Sequence, residues 1–222
     1  MKSPQRLVVL DMDSTFIQQE VIDLLATAVG VGAEVAAITE RPMRGEIDFK
    51  ESLAERVALL KGLPVEVLES VRAEIIFSHG AERMVAILHT LDHKVAIVSG
   101  GFEDVIAPLL EKVGVDFYRA NKLDSDGGRL TGKTTGPIID RTAKAAALKE
   151  FAKELGIPLE HTVAVGDGAN DLEMMAISGL SIAFNAKPIV QEAAMVAIND
   201  GDLMGVLVHM GITEEEITRT GL

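Results

Sequence analysis

The sequence predicts an α/β protein with a doubly wound parallel sheet and an inserted four-helix cap. From residue 80 onward, short apolar runs typical of buried strands alternate with helical patterns. Alternation of this kind favours parallel strands joined by right-handed crossovers. Between residues 16 and 77, apolar residues recur only at three-to-four spacing, and no strand pattern interrupts them. At 222 residues the chain is long enough for one core with a smaller insert.

The first elements define the boundary between core and cap. The apolar run at residues 7–10 predicts a buried strand, and a long helical pattern follows it. That pattern is broken at Gly30-Val31-Gly32, at Arg41-Pro42 and at Gly62-Leu63-Pro64. Because Gly and Pro interrupt helices, these breaks divide the stretch into about four helices. We therefore assign residues 1–15 and 78–222 to the core and residues 16–77 to the cap.

The later elements follow from the same signals. The predicted helices cover residues 81–91, 102–113, 141–155 and 172–177. The predicted strands cover residues 95–98, 116–118 and 162–165, and further apolar runs lie at 180–184 and 195–198. Asp126-Gly127 predicts a hairpin turn, since this dipeptide is favoured in type I′ turns. Thr213 followed by Glu216 predicts a capping box that opens a C-terminal helix.

Polar clusters follow three of the predicted strands. Asp11-Met12-Asp13-Ser14-Thr15 follows the first strand, Ser99-Gly100-Gly101 follows the strand at 95–98, and Gly166–Asp171 follows the strand at 162–165. In open α/β sheets, ligands bind beyond the carboxyl ends of the strands. We therefore expect these three clusters to converge on one site.

Composition excludes several classes of function. A net charge of −13 argues against nucleic acid or an anionic membrane as partner, and it requires local cations at any phosphate site. The chain contains no Cys, which excludes disulfides and thiol chemistry. No signal peptide or membrane span is evident, so we expect a soluble, cytoplasmic protein. The oligomeric state stays open, with a homodimer as one option.

Each acidic cluster has an ordinary structural interpretation beside the chemical one. Asp-x-Asp is common in turns. It is not a calcium loop here, because Phe16 and Ile22 stand where that loop needs Gly and Glu. Asp167, Asn170 and Asp171 offer the oxygen ligands that magnesium prefers, although a polar loop that caps a helix would look similar.

The Ser99-Gly100-Gly101 cluster and Lys144 are also ambiguous when each is taken alone. Ser99-Gly100-Gly101 can present a hydroxyl and backbone N–H groups to an anion, or can simply be a strand-to-helix turn. Lys144 lies in the first turn of its predicted helix, where the helix dipole disfavours a cation. A solvated lysine is the ordinary interpretation, unless a phosphate lies opposite.

The Asp11–Thr15 cluster, the Ser99–Gly101 cluster, Lys144 and the Gly166–Asp171 cluster form four motifs in chain order. These motifs resemble those of the haloacid dehalogenase superfamily of aspartate-nucleophile phosphatases, and the resemblance covers essentially the whole chain. Within it, the chain resembles the branch that hydrolyses O-phosphoserine, the last step of serine biosynthesis. That branch carries Asp-x-Asp-Ser-Thr, Val-Ser-Gly-Gly-Phe and Val-Gly-Asp-Gly-Ala-Asn-Asp, as this chain does. It also carries a Glu after the first motif and an Arg in the cap, here Glu20 and Arg56. Without the motifs, both would be interpreted as solvated charges.

The resemblance implies a catalytic role for each residue of the core. Asp11 would attack phosphorus and become an aspartyl phosphate. Asp13 would protonate the departing oxygen and then deprotonate the attacking water. Mg²⁺ would be held by Asp11, Asp167 and the backbone carbonyl of Asp13. Lys144 would hold a phosphoryl oxygen, and Asp171 would orient Lys144 or a metal-bound water.

The resemblance also implies how the substrate is held, with specificity set in the cap. Ser99 and the Gly100 N–H would bind phosphoryl oxygens. Glu20 would pair with the substrate ammonium and Arg56 would bind its carboxylate, while Asn170 would help to hold the substrate. The apolar cap residues Met43 and Phe49 are expected to form a lid that excludes water, although both would also suit the cap interior.

Three other interpretations remain. Residues 127–134 match the P-loop pattern G-x-x-x-x-G-K-[ST] of nucleotide-binding modules. We interpret them as a hairpin, because no buried strand precedes them and Thr135-Gly136-Pro137 follows them. A related phosphatase could instead act on another small phosphorylated metabolite or on a phosphoprotein. A catalytically silent binding protein is disfavoured, because all the acidic and basic motif residues are present.

Overall fold

A seven-stranded sheet lies at the centre of the protein. The computed structural model describes residues 4–43 and 45–222, with the backbone alone described at Met43. Its strands are β1 (Leu7–Leu10), β2 (Lys94–Phe102), β3 (Phe117–Asp126), β4 (Arg129–Thr135), β5 (Thr162–Gly166), β6 (Leu180–Phe184) and β7 (Val196–Ile198). They are ordered β4-β3-β2-β1-β5-β6-β7. All the pairs are parallel except β3 with β4, which confirms the predicted α/β class.

Helices cover both faces of this sheet, as a buried parallel sheet requires. The α-helices are α1 (Val21–Ala28), α2 (Gly32–Met43), α3 (Phe49–Ala58), α4 (Val67–Glu74), α5 (Ala81–Thr90), α6 (Glu103–Val113), α7 (Arg141–Leu155), α8 (Leu172–Ile177), α9 (Pro188–Ala193), α10 (Gly205–His209) and α11 (Glu214–Thr220). Strand β1 shows why the sheet is covered twice. Val8 and Leu10 belong to one buried cluster, whereas Leu7 and Val9 belong to the other, because successive side chains point to opposite faces.

The sequence explains where several helices begin. Asp48 and Glu51 form a capping box at the start of α3, and Asp140 accepts the Ala143 N–H at the start of α7. Thr213 and Glu216 form the capping box predicted for the C-terminal helix. The predicted helical stretch also contains the four helices α1–α4. Their assignment to a separate cap with bounds 16–77 stays a prediction.

The segment that matches the P-loop pattern forms a β-hairpin, as the sequence interpretation held. Strands β3 and β4 are antiparallel, and Gly127 and Gly128 both have positive φ, at 52° and 76°. Type I′ turns need this conformation at both central residues, and glycine adopts it without steric cost. The strand–loop–helix order of a P-loop is therefore absent from this segment.

The hairpin also binds the chain between α3 and α4 through main-chain atoms. Gly62 N donates to Leu130 O at 2.8 Å, and Leu130 N donates to Leu63 O at 2.8 Å. Val65 N donates to Gly128 O at 3.0 Å. We call this set of bonds between residues 62–65 and 128–130 the hairpin seam. It joins the helices α3 and α4 to the edge of the sheet.

Two strands are longer than the sequence predicts. The strand predicted at 116–118 runs from Phe117 to Asp126, and the strand predicted at 95–98 runs from Lys94 to Phe102. Ser99-Gly100-Gly101 was expected to be a turn before a helix at Phe102, whereas β2 runs through these residues and α6 begins at Glu103. The chain stays extended because Phe102 pairs with Asn121 of β3, after a register shift that begins beyond Val98.

The helices in the described part of the chain lack the length and apolar character that crossing a membrane requires.

Candidate active site

The three polar clusters converge at one edge of the sheet, as expected for residues that follow the carboxyl ends of parallel strands. β1 lies between β2 and β5, and all three are parallel, so Asp11, Ser99 and Asp167 emerge on the same side. A cavity of about 280 Å³ lies between this edge and the helices α1–α3. Among the predicted site residues, its lining residues are Asp11, Asp13, Glu20, Phe49, Arg56, Gly100, Asp167 and Asn170.

Asp11 is held firmly at the bottom of this cavity. Its backbone N–H donates to Val165 O at 2.9 Å, which extends the β1–β5 pairing by one residue. One carboxylate oxygen, Oδ1, accepts the Met12 N–H at 2.7 Å. The other, Oδ2, lies 2.7 Å from Lys144 Nζ and 3.4 Å from Asn170 Nδ2. Because both oxygens are engaged, the orientation of a side chain that is only 4% exposed is fixed.

Lys144 is fully buried and bridges two carboxylates. Its Nζ lies 2.7 Å from Asp11 Oδ2 and 2.8 Å from Asp171 Oδ1, and Asp171 is also fully buried. The second oxygen of Asp171 accepts the Gly168 N–H at 3.1 Å. The structure therefore answers the question that the sequence left open at Lys144. Two anions offset the unfavourable helix dipole in the first turn of α7.

The pKa values of Asp11 and Lys144 both lie above their usual ranges, for different reasons. Burial raises the pKa of the Asp11 carboxyl, and the nearby charge of Asp171 adds to the rise, while Lys144 opposes it. At Lys144, burial lowers the pKa, but the charges of Asp11 and Asp171 outweigh it and leave the pKa above its usual range. Lys144 is therefore a permanent cation. The negative charges of Asp171 and Asp13 near Asp11 are only partly compensated by the positive charge of Lys144.

Asp13 lies beside Asp11 on the cavity wall. Its Oδ1 accepts the Val21 N–H at 3.2 Å, which ties it to the start of α1. Burial and the charge of Glu20 raise the pKa of Asp13 to about 8. A Cβ added at Gly101 would lie 2.8 Å from Asp13 Oδ2, so the backbone of β2 approaches this carboxylate as only glycine allows.

The Ser99 cluster is positioned by β2 and its neighbour β3. Ser99 is fully buried, and its Oγ accepts the Gly101 N–H at 2.8 Å. Gly100 lies on the cavity wall, and its carbonyl accepts Asn121 Nδ2 at 2.8 Å. Asn121, at 1% exposure, also accepts the Ile139 N–H at 2.8 Å. The buried amide of Asn121 fixes this end of β2. The role of Ser99 and Gly100 in binding phosphoryl oxygens stays a prediction.

Three carboxylates form a cluster of the kind that holds a divalent cation. One oxygen each from Asp11, Asp167 and Asp171 lies within 4.8 Å of the others. Burial and the charges of Asp171 and Glu20 raise the pKa of Asp167 to about 6. Both oxygens of Asp171 already have partners. The donor set therefore fits a divalent cation among Asp11, Asp167 and Asp171. Direct binding by Asp11 and Asp167, with Asp171 behind them, stays a prediction.

The groups on the helices α1–α3 are held more loosely. Glu20 is exposed, and its Oε1 accepts a hydrogen bond from Ser14 Oγ at 2.7 Å. Arg56 is half-buried, and its Nε donates to Ser52 O at 3.2 Å. Burial lowers the pKa of the Arg56 guanidinium, while Asp23, Glu20 and Asp13 oppose this change.

The structure describes the side chain of one of the two predicted lid residues, and the lid role of both stays a prediction. Phe49 starts α3 and lines the cavity, and a Cβ added at Gly100 would lie 3.3 Å from its Cζ. Phe49 therefore packs over the strand end where the chemistry is expected. The side chain of Met43 lies outside the described part of the structure, so its lid role stays a prediction.

Lys187 and Ser52 are among the cavity residues that the sequence analysis did not single out. Lys187 is exposed on the cavity wall, its backbone N–H donates to Asp167 O at 3.2 Å, and its charge counteracts the rise in the Asp167 pKa. Lys187 follows β6, so its position just beyond the carboxyl end of a strand is a signal that could have identified it. Ser52 also lines the cavity. A serine inside a helix carries no signal that would single it out.

Comparisons with known proteins agree with this geometry. The family model of haloacid dehalogenase-like hydrolases matches residues 8–176. The phosphoserine phosphatase of Streptomyces coelicolor is 52% identical over 96% of this chain, and the match covers 52% of that protein. The phosphoserine phosphatase of Streptococcus thermophilus is 49% identical over 93% of this chain and 96% of its own length. The chain thus spans about half the length of the first relative and nearly all of the second.

Solved structures show the same similarity. A substrate-bound phosphoserine phosphatase complex superposes with a TM-score of 0.88 at 42% identity, covering 93% of this chain and 99% of the other. A phospho-aspartyl intermediate analogue of phosphoserine phosphatase superposes with a TM-score of 0.87 at 42% identity, with the same coverage. The described fold and the relatives therefore point to one family.

Proposed function

Since the chain belongs to the haloacid dehalogenase-like hydrolases and, within them, to the phosphoserine phosphatases, we propose that it is a Mg²⁺-dependent phosphatase that hydrolyses O-phospho-L-serine to L-serine and phosphate. In that role it would catalyse the last step of serine biosynthesis in the cytoplasm. One observation carries the proposal. Asp11 is fixed by Lys144 in a cavity, beside Asp13, whose pKa is raised to about 8 by burial and by the charge of Glu20.

The first half of the reaction needs a nucleophile and an acid. An Asp11 oxygen attacks phosphorus, and the bond between phosphorus and the serine oxygen breaks. Asp13 gives its proton to that departing oxygen, which leaves as the hydroxyl of serine. The raised pKa of Asp13, at about 8, supports this assignment because the group must hold a proton at working pH. The phosphoryl group then remains on Asp11.

The second half reverses the role of Asp13. Now ionised, Asp13 takes a proton from water, and the resulting oxygen attacks phosphorus. The bond to Asp11 breaks, phosphate leaves and Asp11 is restored. Lys144, whose Nζ lies 2.7 Å from Asp11 Oδ2, is in reach of a phosphoryl oxygen in both halves. Ser99 and the Gly100 N–H are the further phosphoryl-binding groups in the proposal.

The proposal assigns Mg²⁺ to the acidic cluster. Asp11 and Asp167 would hold it together with the backbone carbonyl of Asp13, and Asp171 would orient Lys144. When bound, the cation would neutralise charge on the phosphoryl oxygens. The raised pKa values of Asp11 and Asp167 support a cation, because burial disfavours the charge of each carboxylate and Asp171 adds a negative charge beside both.

The substrate's charged ends match groups in and beside the cavity. We assign the phosphate end to Lys144, which contacts the cavity residue Asp11. We assign the ammonium to Glu20 and the carboxylate to Arg56 on the cavity wall, with Asn170 as a further contact. Charge complementarity supports this arrangement in a chain whose net charge of −13 would otherwise repel a phosphorylated amino acid. Phe49 would exclude water when the substrate is bound.

The test is phosphate release from O-phospho-L-serine, with and without Mg²⁺, by the parent and by Asp11→Asn. We expect Mg²⁺-dependent turnover that falls at least about 10³-fold in the variant. Asp126→Asn is the matched control, because Asp126 is exposed at the hairpin turn. A parent that hydrolyses an aryl phosphate but not phosphoserine would move the substrate to another phosphorylated metabolite. No turnover of either compound would contradict the enzymatic proposal.

A further inference from the structure

A buried hydroxyl on the cavity wall has no partner. Ser52 lies in α3, is 1% exposed and lines the cavity. Its Oγ is buried and makes no hydrogen bond. Among the described residues the same is true of one other hydroxyl, that of Thr15, which is not on the cavity wall. Ser52 is therefore the unpaired buried hydroxyl that is placed to meet a ligand.

An unpaired hydroxyl at this position is unusual. A serine inside a helix commonly bonds the carbonyl four residues earlier, but the Asp48 carbonyl here accepts the backbone N–H of Ser52 at 3.0 Å and no bond from its hydroxyl. Burying a polar group without a partner costs free energy. A rotation about χ1 between staggered positions is enough to redirect Oγ. A ligand in the cavity can thus supply the missing acceptor.

The neighbours of Ser52 identify the group that it would meet. Arg56 lies one turn further along α3, and its Nε already donates to Ser52 O at 3.2 Å. That bond orients the guanidinium and leaves its two terminal nitrogens for a ligand. Residues four apart share one face of a helix, so the Ser52 hydroxyl and the Arg56 guanidinium lie side by side. Because the hydroxyl and the guanidinium both donate hydrogen bonds, a single carboxylate of the ligand can accept from the two groups together.

We infer that Ser52 Oγ donates a hydrogen bond to the substrate carboxylate beside Arg56, which makes Ser52 a specificity-determining residue. The inference rests on the proposed function. Ser52 also acts on Arg56 through its carbonyl, a contact that substitution of the side chain leaves in place. Removing the hydroxyl therefore tests the new contact alone.

The experiment compares a ligand with a carboxylate and one without. Steady-state kinetics of Ser52→Ala with O-phospho-L-serine should show KM raised about tenfold and kcat within about twofold of the parent. The inhibition constant of O-phosphoethanolamine, which lacks the carboxylate, should be unchanged. Because the unpaired hydroxyl is gone, the Tm of the substrate-free variant should equal or exceed that of the parent.

Two further variants make the result specific. Ser70→Ala, at an exposed position of α4, makes the same chemical change away from the cavity and should leave KM unchanged. Ser52→Cys replaces the hydroxyl by a weaker donor and should give an intermediate rise in KM.

Three results would overturn the inference. One is an unchanged KM for phosphoserine in Ser52→Ala, and another is an equal weakening of phosphoserine and phosphoethanolamine. Both would leave the proposed function standing, since the parent would still turn over phosphoserine. Absence of turnover by the parent would instead reject the proposed function, and the inference with it.

Discussion

The core side and the helical side of the cavity hold their charges in different ways. Lys144 is fully buried and lies within 2.8 Å of two carboxylates, on Asp11 and Asp171. Glu20 is exposed and Arg56 is half-buried, and each has one hydrogen bond within its own neighbourhood. In the proposed function, the core side is thus set before substrate arrives, and the helical side supplies the groups that bind it.

This difference separates chemistry from specificity. Buried charges are costly unless they are paired, so the core positions tolerate little movement. Half-exposed charges are screened by water and cost little to leave without a ligand. A reaction common to many phosphate esters needs the first arrangement, whereas recognition of one amino acid needs the second.

Replacement of Lys144 should have the largest effect. In Lys144→Met, the carboxylates of Asp11 and Asp171 lose their buried counter-charge, and the phosphoryl group loses a ligand. We expect kcat/KM to fall at least about 10³-fold for both phosphoserine and an aryl phosphate, and Tm to fall as well. Lys149→Met, at an exposed position of α7, is the control. Activity within tenfold of the parent would show that the core side is not preset in this way.

Replacement of the groups on the helical side should affect one substrate only. Arg56→Ala and Glu20→Ala should each lower kcat/KM for phosphoserine about 100-fold, since each removes a partner of a charged substrate end. With an aryl phosphate, which has neither end, the change should stay within about threefold. Glu69→Ala, an exposed charge on α4, controls for the loss of a surface charge. Equal losses on both substrates would contradict the division between the two sides.

The smallest expected effect is a pH dependence of stability that arises on the core side. Burial and neighbouring charges raise the folded-state pKa of Asp13 to about 8 and that of Asp167 to about 6, from the ordinary aspartate value of 3.8. The folded protein therefore binds more protons than the unfolded chain above about pH 4, so the stability from these groups is lost as pH rises. In EDTA, Tm should fall by a few °C between pH 6 and 8.

Variants assign this pH dependence to individual groups. Asp13→Asn should reduce the fall in Tm between pH 6 and 8, because the pKa of Asp167 lies at the lower end of that interval. The raised pKa of Asp11 accounts for any fall that remains. Asp167→Asn should act mainly between pH 4 and 6. The exposed Asp126→Asn should leave the profile unchanged. A metal-free Tm that rises from pH 6 to 8 would contradict the assigned direction of these shifts.

The parts of the site that sequence could predict are those fixed by chain order. Asp11, Ser99 and Asp167 each follow a strand, and parallel strands bring their carboxyl ends to one edge. The extension of β2 through Gly100 and Gly101 was missed, because it depends on pairing with β3 rather than on apolar periodicity.

Side-chain environments were beyond the reach of the sequence. Nothing in the sequence distinguishes the fully buried Lys144 from the exposed Lys149 on the same helix, because burial depends on how α7 packs on the sheet. The resemblance to a family, not the pattern, singled out Lys144. The unpaired hydroxyl of Ser52 was invisible for the same reason, since it depends on the atoms that surround α3.

The hairpin seam has a consequence for sequence drift. Its three bonds join N–H and C=O groups of residues 62–65 and 128–130, so most side chains there can change without loosening the attachment. Gly62 and Gly128 are exceptions within the seam, because their φ angles of 85° and 76° favour glycine. Gly132 is a third exception nearby, with a φ of +80° and an added Cβ that would lie 2.9 Å from Lys61 Cβ. Evolution can therefore vary the other side chains of this joint freely, while these three positions must stay glycine for the hairpin to lie against the end of α3.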